Sequence, residues 1–153
     1  MVAKQVIRAA TGWLELGLPD DALEELNGLT GDDRSMKKVL ELQLSAQMSK
    51  GVWKDASDTA LELCGQAVDE PDFFLSAAYC LHEAGETEEA MKVLLRGPRV
   101  LLEFPVYHYN MACYEWRRGA KDAAKVHLDK AIAMDEGFLE AARTDRDLVG
   151  MEF

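Results

Sequence analysis

The three cysteines and three histidines are the side chains of this sequence best suited to chemistry, but their spacing does not assemble a reactive site. Cys80 and His82 are two residues apart and Cys113 follows His108 by five, so on a helix neither pair shares a face. No second Cys/His pair stands at the spacing of a zinc site. His127 lies among charged residues, which predicts an exposed helix position. We therefore predict free, buried thiols and no metal-binding residue.

Carboxylates cluster at two places in the sequence, and both clusters fit the first turn of a helix. The positive end of a helix dipole stabilises such groups, so a solvated face is the better interpretation than a cation site. The glycines are single, which does not match a phosphate-binding loop. Since no nucleophile, base and orienting group come together, we predict no catalytic residue, no cofactor and no enzymatic activity. The two clusters are Asp20, Asp21, Glu24 and Glu25, and Glu86, Glu88 and Glu89.

The net charge of −11 narrows the class of partner. Residues 1–90 hold seven Lys/Arg against 18 Asp/Glu, whereas residues 91–153 hold ten against ten. An acidic surface repels phosphate backbones and anionic lipid headgroups, which argues against nucleic acid and membrane and favours a neutral or basic protein partner. Charges at Lys4, Arg8 and Glu15 interrupt the N-terminal stretch, so neither a signal peptide nor a membrane span fits and we predict a cytoplasmic protein.

A 34-residue period organises the chain. Apolar residues on both sides of each repeated glycine recur at three- and four-residue steps, which predicts two amphipathic helices per period. The glycine ends the first helix, where a left-handed cap needs no side chain. An alanine five residues later lets the second helix approach closely. The glycines are Gly17, Gly51, Gly85 and Gly119, and the alanines are Ala22, Ala56, Ala90 and Ala124.

One such hairpin cannot bury its own apolar face, so neighbouring hairpins must stack. We predict an all-α solenoid, a single domain over residues 1–153, with hairpins at about 3–36, 37–70, 71–104 and 105–136. Residues 137–153 form a capping segment with a short helix over 137–144. Gly97 and Pro98 interrupt the third repeat, and we expect its second helix to end near Arg96 and a single turn to follow, in preference to a functional hinge.

The period and its small residues resemble the tetratricopeptide repeat. The best match runs from Tyr109-Asn110-Met111-Ala112 through Gly119, Ala124, Leu128 and Ala131, and the resemblance covers roughly residues 3–136. Leu29 and Leu63 depart from it, since the family has a small residue late in the second helix. The resemblance implies a right-handed α–α superhelix that binds protein segments in a concave groove lined by the first helix of each hairpin.

Carrying the family's groove positions onto this chain gives fourteen candidate residues. Tyr and Trp with a neighbouring Arg are typical of binding hot spots, so the fourth repeat is the strongest part of the set, although packing of these aromatics between repeats is an alternative. The positions are Arg8, Thr11, Leu14, Leu42, Ser45, Met48, Ser76, Tyr79, His82, Tyr109, Asn110, Cys113, Trp116 and Arg117.

Three functional hypotheses follow. The first is an adaptor or scaffold that binds a peptide segment of another protein. The second is a small secretion-type or assembly chaperone that keeps a client protein from aggregating, and the third is a structural subunit that self-associates into a homo-oligomer. The resemblance disfavours docking of chaperone C-terminal peptides, because the Asn, Lys and Arg clamp of that subclass is absent from the corresponding positions.

Overall fold

The computed structural model describes residues 2–153, and over these residues the protein is helical without a strand. Short 3-10 helices at Gly31–Ser35, Arg99–Glu103 and Arg146–Leu148 join or follow the α-helices. Among residues 2–153, none of the helices has the length and apolar character that crossing a bilayer requires. The α-helices are α1 (Val2–Glu15), α2 (Pro19–Asn27), α3 (Lys37–Lys50), α4 (Trp53–Gln66), α5 (Pro71–Glu83), α6 (Thr87–Arg96), α7 (Pro105–Arg117), α8 (Lys121–Met134) and α9 (Gly137–Thr144).

The glycine caps predicted from the sequence are confirmed. Gly51 ends α3 at φ 71°, and its N–H donates to the carbonyl of Met48 while Val52 N–H donates to that of Gln47. A side chain would strain this left-handed conformation, which is why glycine recurs at each hairpin bend. The other three repeated glycines also have positive φ.

The repeated alanines are fully buried where the two helices of each hairpin meet. The pairs α1–α2, α3–α4, α5–α6 and α7–α8 pack against each other, as the sequence pattern predicts. Because Ala22, Ala56, Ala90 and Ala124 are all 0% exposed, a larger side chain at any of them would overpack the contact.

The chain divides into two compact units, the first ending at Val68 and the second running from Asp69 to Phe153. In the first unit α1, α2 and α3 enclose an apolar core. In the second unit α5 packs on α6 and α7, and α8 packs on α7 and α9. The first core includes Ala3, Ala10, Ala22, Leu26, Leu29, Val39, Leu42 and Ala46, and buried residues of the second include Phe73, Phe74, Leu81, Leu94, Leu101, Tyr107, Tyr114 and Leu128.

The two units share a layout that repeats after 68 residues, twice the sequence period. Gly31–Ser35 and Arg99–Glu103 are both 3-10 helices, and each follows a short second helix of nine or ten residues. The other second helices, α4 and α8, both have 14 residues. Each unit is therefore a pair of unlike hairpins, one with a shortened second helix and one with a full-length second helix.

The interruption at Gly97 and Pro98 has the predicted form. The helix α6 ends at Arg96 and a single 3-10 helix begins at Arg99. A Cβ atom on Gly97 would collide with the Leu101 side chain and lie 3.2 Å from the ring of Phe74. A side chain here would force Leu101 and Phe74 to shift, so close packing favours glycine where the chain turns back onto its own core.

Candidate functional site

The predicted groove residues of the first unit divide between surface and core. Arg8 and Ser45 are exposed, and Met48 is half-buried. The Thr11 hydroxyl is half-buried and donates to the carbonyl of Ile7 at 2.7 Å, within its own helix. The remaining two, Leu14 and Leu42, pack in or against the apolar core, and Leu42 is only 6% exposed.

The predicted residues of the second unit lie on α5 and α7, and most of them contact one short stretch of the chain itself. That stretch, residues 145–151, is called here the C-terminal segment, and it includes the 3-10 helix Arg146–Leu148, which packs against α7 and α9. The residues that meet it are called the receiving face. They are His82 and Glu83 on α5, and Tyr109, Cys113, Trp116 and Arg117 on α7.

Asp145 is the first anchor of the C-terminal segment. Its Oδ2 accepts a hydrogen bond from the Tyr109 hydroxyl at 2.7 Å, and the Cys113 thiol lies 3.9 Å from the same oxygen. Its Oδ1 accepts from the backbone N–H of Asp147 at 2.9 Å, which caps the 3-10 helix. The carboxylate therefore joins the segment to α7 and shapes the turn that follows.

Burial raises the pKa of both groups that meet Asp145. For the Tyr109 hydroxyl the hydrogen bond to Asp145 raises the pKa further, and for the Cys113 thiol the charges of Asp145 and Asp147 do so. Both groups therefore keep their protons at neutral pH and can donate to a carboxylate. An anionic thiolate at Cys113 is disfavoured, so this cysteine is not set up as a nucleophile.

Asp147 is the second anchor. Its Oδ2 lies 3.0 Å from His82 Nε2, and its Oδ1 lies 4.0 Å from Arg117 Nε. A carboxylate can only accept, so His82 Nε2 carries a proton and, in the neutral ring, Nδ1 accepts from the Thr87 hydroxyl at 2.9 Å. This arrangement fixes the imidazole so that it points at the acidic side chain.

Apolar and backbone contacts complete the docking. Trp116 Nε1 donates to the carbonyl of Val149 at 3.0 Å, and Leu148 and Met151 are 2% and 7% exposed. The Tyr109 ring packs on Phe138 of α9 with ring centroids 4.8 Å apart. Two of the aromatic residues singled out from the sequence, Tyr109 and Trp116, thus contact the chain's own C-terminal residues.

A basic residue of the C-terminal segment, Arg146, makes an ion pair at the edge of the receiving face. Arg146 Nη2 donates to Glu83 Oε2 at 2.8 Å, although the Arg146 side chain is 79% exposed. An ion pair as exposed to solvent as this one contributes about 0–1 kcal/mol to the free energy of unfolding. The three remaining predicted residues lie on the same two helices, with Tyr79 40% exposed and Ser76 and Asn110 half-buried.

Cys113, Asp145 and Asp147 place three ligand atoms within 4.8 Å of one another, a distance that could suit a cation. Hydrogen bonds already account for this cluster, because the two carboxylates accept from Tyr109, His82 and the Asp147 backbone. The arrangement is therefore explained as the anchoring of a peptide segment.

His127 differs from the sequence prediction of an exposed residue. It is half-buried, and its Nδ1 lies 3.4 Å from Nδ1 of His108, whose ring it stacks on. The His108 Nε2 donates to the carbonyl of Leu102 at 2.9 Å, which leaves its Nδ1 as the acceptor in the neutral ring. Burial, followed by the neighbouring His108 and Lys130, lowers the pKa of His127.

Sequence reasoning missed the C-terminal segment as part of the site. The chain at the end of α9 has four polar residues, Thr144-Asp145-Arg146-Asp147, which predict the end of the helix. Polar residues at a helix end are usually exposed to solvent. The available signal was the apolar sequence that follows, Leu148-Val149, with Met151 two residues later. Apolar side chains beyond the end of a helix need a surface to cover them; Leu148 and Met151 are buried here, and the 3-10 helix that carries Leu148 packs on α7 and α9.

Comparison with known proteins establishes the fold. No protein-family model matches the chain, and no curated protein matches it. The solved structure "MamA MSR-1 C2" superposes with a TM-score of 0.78 at 17% identity, covering 89% of this chain and 78% of that one. A second, "Crystal structure of MamA", gives 0.75 at 15% identity, covering 90% and 81%. MamA is a tetratricopeptide-repeat protein, and this chain therefore has a tetratricopeptide-repeat-like fold of the all-α solenoid class.

Proposed function

We propose that this protein is an interaction module, an adaptor or scaffold, that binds a peptide segment of a partner protein on the receiving face. The observation that carries the proposal is that this face already holds a peptide segment. It does so through side-chain hydrogen bonds to two carboxylates and to one backbone carbonyl.

The chemistry of the face suits peptide recognition. Trp116 donates to a backbone carbonyl, a contact that any peptide can offer, while Tyr109 and His82 donate to side-chain carboxylates and so select among peptides. Aromatic residues beside an arginine, here Arg117, are the residues that most often dominate binding energy. The face therefore combines a sequence-independent contact to the peptide backbone with contacts that depend on the peptide's side chains.

The first unit offers a separate candidate surface. Arg8 and Ser45 are exposed on α1 and α3, and Met48 is half-buried. The acidic excess of residues 1–90 favours a neutral or basic partner for this part of the chain. We propose contacts there as an addition to the receiving face, in a protein that acts in the cytoplasm without nucleic acid or membrane as its ligand.

Site-specific photo-crosslinking tests the proposal. A photoreactive amino acid replaces Arg117, the residue of the receiving face whose side chain is 58% exposed, and Lys125 on α8 serves as an exposed control position. Irradiation of the cells that produce the protein, followed by mass spectrometry, is expected to identify one or a few partner proteins at position 117 and none of them at position 125. Equal capture at both positions would contradict the proposal.

The same experiment separates the other two hypotheses. A broad range of newly made or unfolded chains at position 117 would support the chaperone hypothesis instead of the adaptor. Crosslinks only between copies of this chain would support the self-associating subunit.

A further inference from the structure

We propose that the C-terminal segment is an internal occupant of the receiving face which a partner must displace, and that the partner's peptide shares its chemistry. That chemistry is two acidic residues separated by one residue, followed directly by a large apolar residue. The inference rests on the proposed function and names both the kind of partner and the regulation of the site.

The two acidic positions follow from the donors that meet them. Tyr109 donates to the carboxylate of Asp145, and His82 to that of Asp147. Arg117 lies close enough to Asp147 to favour a negative charge there. Because these donors lie on two different helices of one unit, their spacing selects carboxylates two residues apart in the peptide.

The apolar position follows from burial. Leu148 is 2% exposed, whereas the neighbouring Val149 side chain is 75% exposed and contributes only its backbone carbonyl. Leu148 is therefore selected for its side chain and Val149 is not. Met151, 7% exposed and three residues after Leu148, adds a second apolar contact that a longer peptide could reproduce.

The local charge of the face permits an acidic ligand although the whole chain is acidic. The α7 side of the face lies in residues 91–153, which carry equal numbers of acidic and basic residues, while the α5 side, with Glu83, lies in the acidic residues 1–90. Lys121 lies 5.4 Å above the Trp116 ring, and Arg117 and His82 face Asp147. These side chains favour a negative charge locally at Asp147 and beside Trp116, and the attraction does not depend on the net charge of the unit.

The attachment of the segment explains why it can act as a competitor. It follows α9 directly, so its effective concentration at the face is high, of order millimolar for a short tether. It is also held by few hydrogen bonds, and local opening of such a segment costs less free energy than global unfolding. A free peptide must therefore bind against an occupant that is usually docked, which lowers its apparent affinity.

A peptide-binding experiment on the full chain tests the inference. The probe is a fluorescent synthetic peptide with the sequence of residues 144–153, Thr-Asp-Arg-Asp-Leu-Val-Gly-Met-Glu-Phe. Its affinity is measured by anisotropy for the wild-type chain and for a double variant, Asp145→Asn with Asp147→Asn, which keeps the size of both side chains while removing their charge. Glu152→Gln, a change at an exposed acid of the same tail, is the matched control.

The expected result is that the double variant binds the peptide at least about tenfold more tightly than the wild type and the Glu152→Gln variant, because its own segment no longer competes. A second peptide with Asn at both acidic positions is expected to bind the double variant about tenfold more weakly than the first, since it lacks the charges that the face receives. Equal affinity of the first peptide for all three chains, or equal affinity of both peptides, would overturn the inference.

Two controls keep the result interpretable. Circular dichroism must show the same helix content in all three chains, and if the double variant loses helix, Leu148→Ala replaces it with the same expected gain in peptide affinity. Light scattering must give the mass of one 17.0 kDa chain for the wild type. A wild-type dimer that the double variant dissociates would mean that segments are exchanged between copies and would overturn the internal assignment.

Failure of this inference is distinct from failure of the proposed function. Partner capture at position 117 together with no peptide competition would refute the inference alone. Repeating the crosslinking in the double variant tests both proposals together, and partner capture that rises in the variant supports both. Strong peptide binding without any captured partner supports only the recognition of an acidic peptide by the receiving face.

Discussion

At the residue scale, two buried tyrosines of the second unit differ in whether their hydroxyl groups are hydrogen-bonded. Tyr109 donates to Asp145 and is satisfied. Tyr114 is 2% exposed and its hydroxyl has no hydrogen-bond partner among the described residues, although its ring packs 4.8 Å from that of His82. Burial raises the pKa of Tyr114, so its hydroxyl is neutral. As a buried polar group without a hydrogen bond, this hydroxyl lowers the stability of the folded state.

A pair of matched substitutions tests this difference. Tyr114→Phe keeps the ring and removes the unpaired hydroxyl, so we expect the free energy of unfolding to rise by about 1 kcal/mol. Tyr109→Phe removes the hydroxyl that donates to Oδ2 of Asp145 and is expected to lower the free energy of unfolding by about 1–3 kcal/mol. Urea denaturation of both variants measures the difference, and a Tyr114→Phe variant less stable than Tyr109→Phe would refute the assignment.

The half-buried His127, stacked on the buried His108, predicts a pH dependence of stability. Because the pKa of His127 is lower in the folded than in the unfolded chain, the unfolded chain binds more protons as the pH falls through its own pKa, near 6.5. The contribution of His127 to the free energy of unfolding is therefore expected to fall on acidification from neutral pH and to level off below its folded pKa. The neighbouring His108 ring and Lys130 oppose a second positive charge at this position.

His127→Gln isolates this contribution from that of the carboxylates. Urea denaturation at pH 7.5 and pH 5.5 is expected to show a smaller loss of stability for the variant than for the wild type. The same loss in both chains would show that His127 does not titrate differently on folding.

At the element scale, the hairpins follow directly from the sequence while their pairing does not. The positive φ of Gly51 and the complete burial of Ala56 are local consequences of a 34-residue pattern, and so is the end of α6 at Arg96. The alternation of short and long second helices escapes that pattern, because it repeats only after 68 residues and depends on how each helix end packs.

Glycine substitutions test the packing at the end of α6. Gly97→Ala is expected to lower the free energy of unfolding by about 1–3 kcal/mol, because the new methyl group collides with Leu101 and presses on Phe74. Gly12→Ala in α1 is the matched control, since its Cβ meets no atom within 4 Å and a helix interior favours alanine by about 0.5–1 kcal/mol. Thermal unfolding measures both, and opposite signs are expected.

The sequence predicts the residues of the receiving face that lie on α7, but it does not predict what they contact. Tyr109, Trp116 and Arg117 stand out by residue type and repeat position, which the sequence displays. Their contacts are made by a segment 30 or more residues later, through two carboxylates and a backbone carbonyl that carry no periodic signal. Long-range polar contacts of this kind are decided by the tertiary structure alone.

At the scale of the whole molecule, the three cysteines report on both units. Cys64 lies in the first, Cys80 and Cys113 in the second, and all three are buried. Burial, and after it the charge of Glu83, raises the pKa of the Cys80 thiol to about 11, which keeps it protonated at neutral pH. All three thiols are thus expected to react slowly in the folded protein.

Thiol labelling followed by mass spectrometry is expected to single out one of them when the segment is released. In the Asp145→Asn, Asp147→Asn variant, Cys113 loses the carboxylate above it and should be labelled faster, while Cys64 and Cys80 keep their wild-type rates. Faster labelling of all three would indicate general unfolding and would contradict a local release.

The indole N–H of Trp116 reports directly on the docking of the C-terminal segment, because it donates to the carbonyl of Val149. The chain has three tryptophans, so its indole signals are resolved by NMR and that of Trp116 is assigned with a Trp116→Phe variant. We predict that hydrogen exchange at this N–H is at least about tenfold slower in the wild type than in the Asp145→Asn, Asp147→Asn variant, because the bond to the Val149 carbonyl protects it. Fast exchange in the wild type, unchanged in the variant, would contradict the account.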